Sequence, residues 1–444
     1  MTLKIFAEGE NTKGVIFDRY KDVEISIKYN SIASTFSFTL YYDPTNPLHI
    51  KLFKPFTYLS CEVYHENVLV LTGTILNHTF KDAGNPPVQL VECNGYSITG
   101  ILKDCTLYDT HDTTSINPYT GISSQTASMT STFQNMSLLD ITTTICAMFP
   151  LNVVVDSSVK DECNKIFEHK NLDWTKPIAD VLDEIATQLN VVISHTPKGE
   201  ILFTRAVTTT TQTTETTFIK VLEPITLRDD THNNKIKVPK TIKTVPKTIT
   251  VIKSRAVLHN FTLKADRAPD WLTMDFDCNG QSMHSNIEVI GEQSTGEFNL
   301  ITGNTTPANS ADTFTYNPYV NDNSNLVIQR NNSNPKFKAG LRNKRVIQTS
   351  GDDNDIELTA RKVLGDELLK GIKLTVKIQG WVLGGNLVTS NQLITAINPN
   401  IHLFKTTKFL IKQVDLCGDE KSETATLTCC LPECFNNDDV ISIF

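Results

Sequence analysis

The sequence predicts a mainly β protein of the α+β class, and three observations predict it. At both ends, short runs alternate apolar and polar residues with the period of two that a half-buried strand requires. In the middle the period lengthens to that of amphipathic helices. Thr, Asn and Ser are abundant, which favours strands with polar faces and irregular loops over long helices. At 444 residues the chain is too long for a single core, so roughly two to four domains are expected.

The first strands fall in residues 1–110. Val23, Ile25, Ile27 and Tyr29 alternate, and Phe36, Phe38 and Leu40 share one face of the run Thr35 to Tyr41. Further strands fit Thr57 to Tyr64, Val68 to Leu76 and Val88 to Cys93, bounded by turn signals such as Asp43-Pro44 and Gly84-Asn85-Pro86-Pro87. Short strands at this spacing build an antiparallel barrel or a sandwich.

From about His111 to Gln134 the chain is rich in Ser and Thr and has no period, which marks a linker or surface loop. Ser137 and Asp140 then form a capping box for a helix that buries Leu138, Ile141, Ile145 and Met148 and stops at Pro150. A short strand at Asn152 to Asp156 follows. A second helix, from about Pro177 to Leu189 with Thr175 as its cap, aligns Ile178, Val181, Leu182, Ile185 and Leu189. A hairpin turning at Pro197-Lys198-Gly199 completes a small α+β module, and the Thr-rich tract Thr208 to Thr217 is expected to be an exposed boundary.

Lys235 to Lys253 carries six lysines, no acid, and the near-duplicate Val238-Pro239-Lys240-Thr241-Ile242 and Val245-Pro246-Lys247-Thr248-Ile249. Such a tract suits an anionic partner, but Lys and Pro are also how an exposed edge strand avoids stray pairing, and that simpler reading is preferred. The alternating Ile236, Val238, Ile249 and Val251 are expected to pair with strands that follow the insertion at 299–338, which is dense in Asn, Ser, Thr and Pro. In the last hundred residues Asp353 or Asp355 caps a helix carrying Ile356, Ala360, Val363, Leu364 and Leu368 on one face and ending at Gly371. Strands follow at Ile372 to Gln379, Gln392 to Ile397, Lys408 to Leu416 and Thr424 to Leu431. One helix against several antiparallel strands again implies a small barrel.

The formal net charge is −8, which argues against a dedicated nucleic-acid binder. Residues Met1 to Glu10 hold no signal-peptide pattern, and no apolar run reaches membrane-spanning length, so folding in a cytoplasm without membrane insertion is expected. The ten cysteines form no C-x-x-C pair. Cys429 and Cys430 lie on opposite faces of an alternating strand, so with Cys434 they read as buried thiols rather than metal ligands.

No nucleophile elbow, zinc-protease helix, phosphate loop or dinucleotide fingerprint occurs. Asp275-x-Asp277-x-Asn279-Gly280 matches the first half of a calcium loop, but its twelfth position is Asn286 rather than Glu, so a strand ending in a turn is preferred. No catalytic, cofactor-binding or metal-binding residue is assigned, and the protein is expected not to be an enzyme. A carboxylate pair that meets only in space would escape this reading.

Four places resemble the baseplate hub family of contractile-tailed phages, whose relatives include hub domains of type VI secretion spikes. They are Ser31-Ile32-Ala33-Ser34-Thr35-Phe36-Ser37-Phe38; Glu92-Cys93-Asn94-Gly95-Tyr96 with Leu102-Lys103-Asp104-Cys105; Arg345-Val346-Ile347-Gln348 with Thr359-Ala360-Arg361; and a closing set. That set is Gly380-Trp381, Ile397-Asn398-Pro399, Phe409-Leu410-Ile411, Thr424-Ala425-Thr426-Leu427 and Pro432-Glu433-Cys434-Phe435. The ordered set carries the resemblance, and it fades from about Lys235 to Lys338.

The resemblance implies two tube-like antiparallel barrels, each with an associated helix: residues 1–110, and residues 218–260 with 341–444. Between them lies an α+β domain, 111–217, completed by 261–340 and its irregular insertion. It further implies a homotrimer that adapts a sixfold tail tube to a threefold central spike and contacts other baseplate proteins. DNA would pass through its channel without specific binding, the chain being assembled in the host cytoplasm into the virion tail. A cell-wall hydrolase and a receptor-binding module, the latter using Phe314, Tyr316 and Tyr319, are the rival expectations.

Overall fold

The computed structural model describes residues 1–6, 14–84, 87–107, 115–116, 123–124, 132–173, 175–206, 209–229, 234–255, 257–262, 269–284, 286–291, 313–316, 343–348 and 356–436. Three regions organise it: an N-terminal and a C-terminal strand-rich half, and an α+β module between them.

The N-terminal half holds β1 (Thr2–Phe6), β2 (Val15–Phe17), β3 (Asp22–Lys28), β4 (Thr35–Tyr41), α1 (Pro47–Leu52), β5 (Ser60–His65), β6 (Val68–Gly84) and β7 (Pro87–Ser97). The alternation seen in the sequence is the alternation of burial. In β3, Val23, Ile25 and Ile27 are buried while Asp22, Glu24 and Lys28 face out. Phe36 and Phe38 stack with centroids 5.4 Å apart. The Phe36 ring fills the space over Gly95, where any Cβ would also lie 2.0 Å from the Thr74 carbonyl. Only glycine allows β6 and β7 to approach that closely.

The module contains α2 (Leu138–Cys146), β8 (Val153–Asp156), α3 (Ile178–Gln188), β9 (Val192–His195) and β10 (Ile201–Thr204). The capping box of α2 is complete: Asp140 N–H donates to Ser137 Oγ (3.1 Å) and Ser137 N–H donates to the Asp140 carboxylate (3.0 Å). Met148 lies beyond the end of α2 and is exposed. Thr175 does not cap α3, whose N-cap is Pro177; its hydroxyl instead donates to Asp173. The apolar faces of both helices close a second core over Val153, Val155, Ile193, Ile201 and Phe203. Ile32 and Leu102 of the N-terminal half reach into this core and dock the module.

Two long strands leave the module, β11 (Thr209–Asp229) and β12 (Asn234–Arg255). The Thr-rich tract expected as a boundary is thus the start of a strand, in keeping with the β-branched geometry of Thr. The five-stranded sheet runs β9-β10-β8-β12-β11, with Thr250–Ile252 of β12 parallel to β8. Among the described residues, the alternating residues of β12 therefore take their partners from β8 and β11, and not from strands after the insertion.

The C-terminal half holds β13 (Leu258–Thr262), β14 (Thr273–Cys278), α4 (Ile356–Gly371), β15 (Ile372–Gln379), β16 (Leu393–Asn398), β17 (Leu403–Asp419) and β18 (Glu423–Cys430). Asp353 and Asp355, the expected caps of α4, lie outside the described residues, as does most of the 111–134 linker and of the 299–338 insertion.

The fold expectation needs one amendment. The two halves do not form two separately closed barrels among the described residues. Their strands pair as one 13-stranded sheet, β14-β15-β18-β17-β3-β4-β7-β6-β5-β1-β2, with β13 and β16 off this path. Apart from the parallel β13–β16 pair the pairing is antiparallel. The reason lies in β17. Leu410 pairs Leu393 of β16 on one side and Cys430 of β18 on the other, and further along, Gln413–Asp419 pair Lys28–Asp22 of β3. The N-terminal half thus takes the edge that a closed barrel would use on itself. One apolar cluster runs beneath the whole sheet, from Leu3 and Ile5 to Cys434 and Phe435.

Candidate functional site

The seam between the halves, where β3 meets β17, is the candidate site, because the 13-stranded sheet, the largest among the described residues, is joined there. Register fixes what that surface carries. One row crosses nine strands: Thr273, Lys377, Thr426, Asp415, Ser26, Thr35, Tyr96, Thr74 and Ser60. A second reads Gln379, Thr424, Cys417, Glu24, Ser37 and Asn94. Every member except Cys417 is polar, and none is a large aliphatic residue. The opposite side of the same strands is mainly apolar, with Ile25, Phe36, Val376 and Leu427 buried there beside the buried polar residues His65 and Ser97.

On the polar side Ser26 Oγ donates to Asp415 Oδ1 (2.6 Å) and Gln413 Nε2 donates to the same carboxylate (2.8 Å). Asp22 stands directly opposite Asp419. Like charges paired across a ladder oppose each other, so this pair does not serve stability. Asp22, Glu24, Glu92 and Asp419 line one open groove with Lys81. Lys81 donates to Glu92 and holds that carboxyl below its ordinary range. Backbone N–H groups of Lys421 and Ser422 do the same for Asp419.

Beneath the seam the halves are locked by Trp381. Its ring is buried, its Nε1–H donates to the Cys417 carbonyl (3.0 Å), and it packs 5.2 Å from His65 of β5. Gly418 makes room: a Cβ there would meet Val23 at 3.0 Å and Trp381 at 3.4 Å. Tyr96 and Asp104, both in the segments that carry the family resemblance, join through a 2.5 Å hydrogen bond from the phenol to the carboxylate.

Of the residues weighed from sequence, Asp275 and Asp277 sit on β14 opposite Thr375 and Lys373. Asn279 caps the short turn after it by accepting from Gln281 N–H. Among the described residues, no group of three His, Cys, Asp or Glu side chains is placed to hold a metal ion. Cys429, Cys430 and Cys434 are all buried, Cys430 directing its thiol to the Leu410 carbonyl (3.8 Å). Burial pushes the Cys429 and Cys434 thiols well up, away from the thiolate that a nucleophile or ligand needs. Phe314 and Tyr316 lie on a described strand, Thr313–Tyr316; Tyr319 lies outside the described residues. No described helix is long and apolar enough to cross a membrane.

No family profile and no curated protein matches the sequence. Solved structures do. The 43 kDa tail protein of prophage MuSo2 from Shewanella oneidensis superposes with a TM-score of 0.63 at 12% identity, over 98% of this chain and 99% of that one. The fold is that of phage tail proteins. A tail protein from Neisseria meningitidis MC58 agrees, with a TM-score of 0.62 at 13% identity over 99% of this chain and 98% of the other. The likeness to tail proteins therefore runs over nearly the full length of the chain.

The acidic pair across the seam was missed by sequence reasoning. Asp22 and Asp419 are brought together only by the pairing of strands from opposite ends of the chain, and no local pattern signals that.

Proposed function

We propose that this protein is a structural hub of a phage-type tail, not an enzyme. Three copies form a ring in which each half supplies one tube-like unit, so that six similar units meet a sixfold tube above and three chains meet a threefold spike below. The observation that carries this reading is the single sheet through β3 and β17. It joins two strand-rich halves, of seven and six strands, into one plate with a shared core. A plate of that kind transmits load without a hinge between its halves. The fold likeness to whole tail proteins supports the same reading.

In this arrangement the polar side of the plate lines the channel. The charge of −8 per chain becomes −24 for three, and acids such as Asp22, Glu24, Asp415 and Asp419 repel a passing phosphate backbone instead of holding it. The chain would reside in the virion tail, with tube, spike and baseplate proteins as its neighbours.

Two measurements test the proposal together. Light scattering on the purified chain at micromolar concentration is expected to give the mass of three copies, alone or with tube or spike protein added. Incubation with purified peptidoglycan is expected to release no soluble fragments. Turnover of cell wall would overturn the structural reading.

A further inference from the structure

We infer that the β11–β12 hairpin is an arm that docks on the acidic surface of a second copy of this chain. The inference rests on the self-assembly proposed above and names a surface that contributes to it.

Beyond Thr250–Ile252, where β12 pairs β8, the hairpin pairs only with itself, in unbroken register apart from one irregularity between Glu223 and Ile225, out to Asp229 opposite Asn234. The ladder from Thr216–Thr248 outward is about 45 Å long at the rise of a strand. No further strand joins it among the described residues, and β11 is the edge of its sheet. A two-stranded ribbon of this length is marginal by itself in water.

Its sequence is unlike the rest of the chain. Residues 209–255 contain nine Lys and Arg against four Asp and Glu, a net +5. The whole chain carries −8, so the remainder carries −13. The register also pairs Ile219 with Val245, Ile225 with Val238 and Leu227 with Ile236, and between them sets Val221 opposite Lys243 and Glu223 opposite Thr241. A basic arm with three apolar cross-strand pairs, on a protein of opposite charge, fits another copy of the same protein, where the acids supply orientation and the apolar pairs add burial. Exchange of an identical element around a closed ring satisfies every copy equally.

The test uses the full chain, prepared with natural and with heavy nitrogen and mixed before assembly. A carbodiimide then couples lysines to nearby carboxylates. Links that join a lysine of Lys235–Lys247 to an acid outside 209–255 are expected to carry both isotopes. A companion variant replaces Lys235, Lys237, Lys240, Lys243 and Lys247 by Gln, well away from both cores. It is expected to stay folded by circular dichroism and to weaken self-association roughly tenfold, a loss that added salt reproduces in the unmodified chain. Mixed-isotope links elsewhere but not on the arm would overturn the arm while leaving the hub reading intact. No mixed-isotope links anywhere would overturn both. Retention of short duplex DNA by the chain, lost in the variant without change in self-association, would assign the arm to a phosphate backbone and overturn the inference as well.

Discussion

The plate and the α+β module each close an apolar core, and they do so by opposite routes. In the plate, neighbours in space are strangers in sequence: β3 pairs β17, and Trp381 packs on His65. In the module, α3, β9 and β10 follow one another within residues 178–204 and close much of their core among themselves. Long-range pairing imposes a large ordering cost before it returns any burial, whereas local packing returns it early. The plate should therefore behave as one all-or-none unit, and the module as a docked unit with its own local cooperativity.

The sharpest way to break that comparison is at the seam. Trp381→Ala removes a fully buried indole and its hydrogen bond, and it is expected to destabilise by about 3–5 kcal/mol. Amide hydrogen exchange should then rise in β3 and β18 together. Acceleration confined to the C-terminal half would show that the halves hold separate cores.

Next in size is the module's own core. Leu182→Ala is expected to lose about 2–5 kcal/mol. Hydrogen exchange should accelerate in α2, α3 and β10 before it does in β4 or β7. Simultaneous acceleration of all five would erase the distinction between plate and module.

The contact between module and plate is sensitive to acid. His195 Nδ1 lies 3.3 Å from the Ser31 carbonyl oxygen, and burial pulls the ring down to about 4, with nearby Lys103 acting in the same direction. The unfolded chain takes up this proton near 6.5, the folded chain only near 4. Stability is thus fully present above the unfolded value and declines as pH falls from there towards 4, by roughly 3 kcal/mol. Urea midpoints measured between pH 7 and pH 4 should show the decline, and His195→Gln should remove that part of it. The smallest effect concerns a single helix end. Ser137→Ala deletes half of the α2 capping box and should lower stability by about 1 kcal/mol in thermal melts, without altering β3 or β17.

The same contrast explains what was legible in the sequence. Element positions were readable wherever burial follows a period: Thr35–Tyr41 and Ile372–Gln379 are strands in the structure as in the sequence, and Ser137 and Asp140 do cap α2. Pairing was readable only when a short turn enforces it, as between β9 and β10. The join of β3 to β17 was not, because alternation states which face of a strand is buried and is silent about its neighbour. The like-charge pair Asp22–Asp419 was invisible for the same reason. Thr208 to Thr217 misled through composition, since a Thr tract suits a linker and a strand equally.

The most direct test of the central claim is a reconstruction of the assembled tail particle at a resolution that separates strands. The expected result is three copies around a closed channel, with the β3–β17 seam of each copy facing the lumen and Asp22, Glu24, Asp415 and Asp419 lining it. A monomer or dimer in the particle, or a ring whose lumen is built from other surfaces, would contradict it.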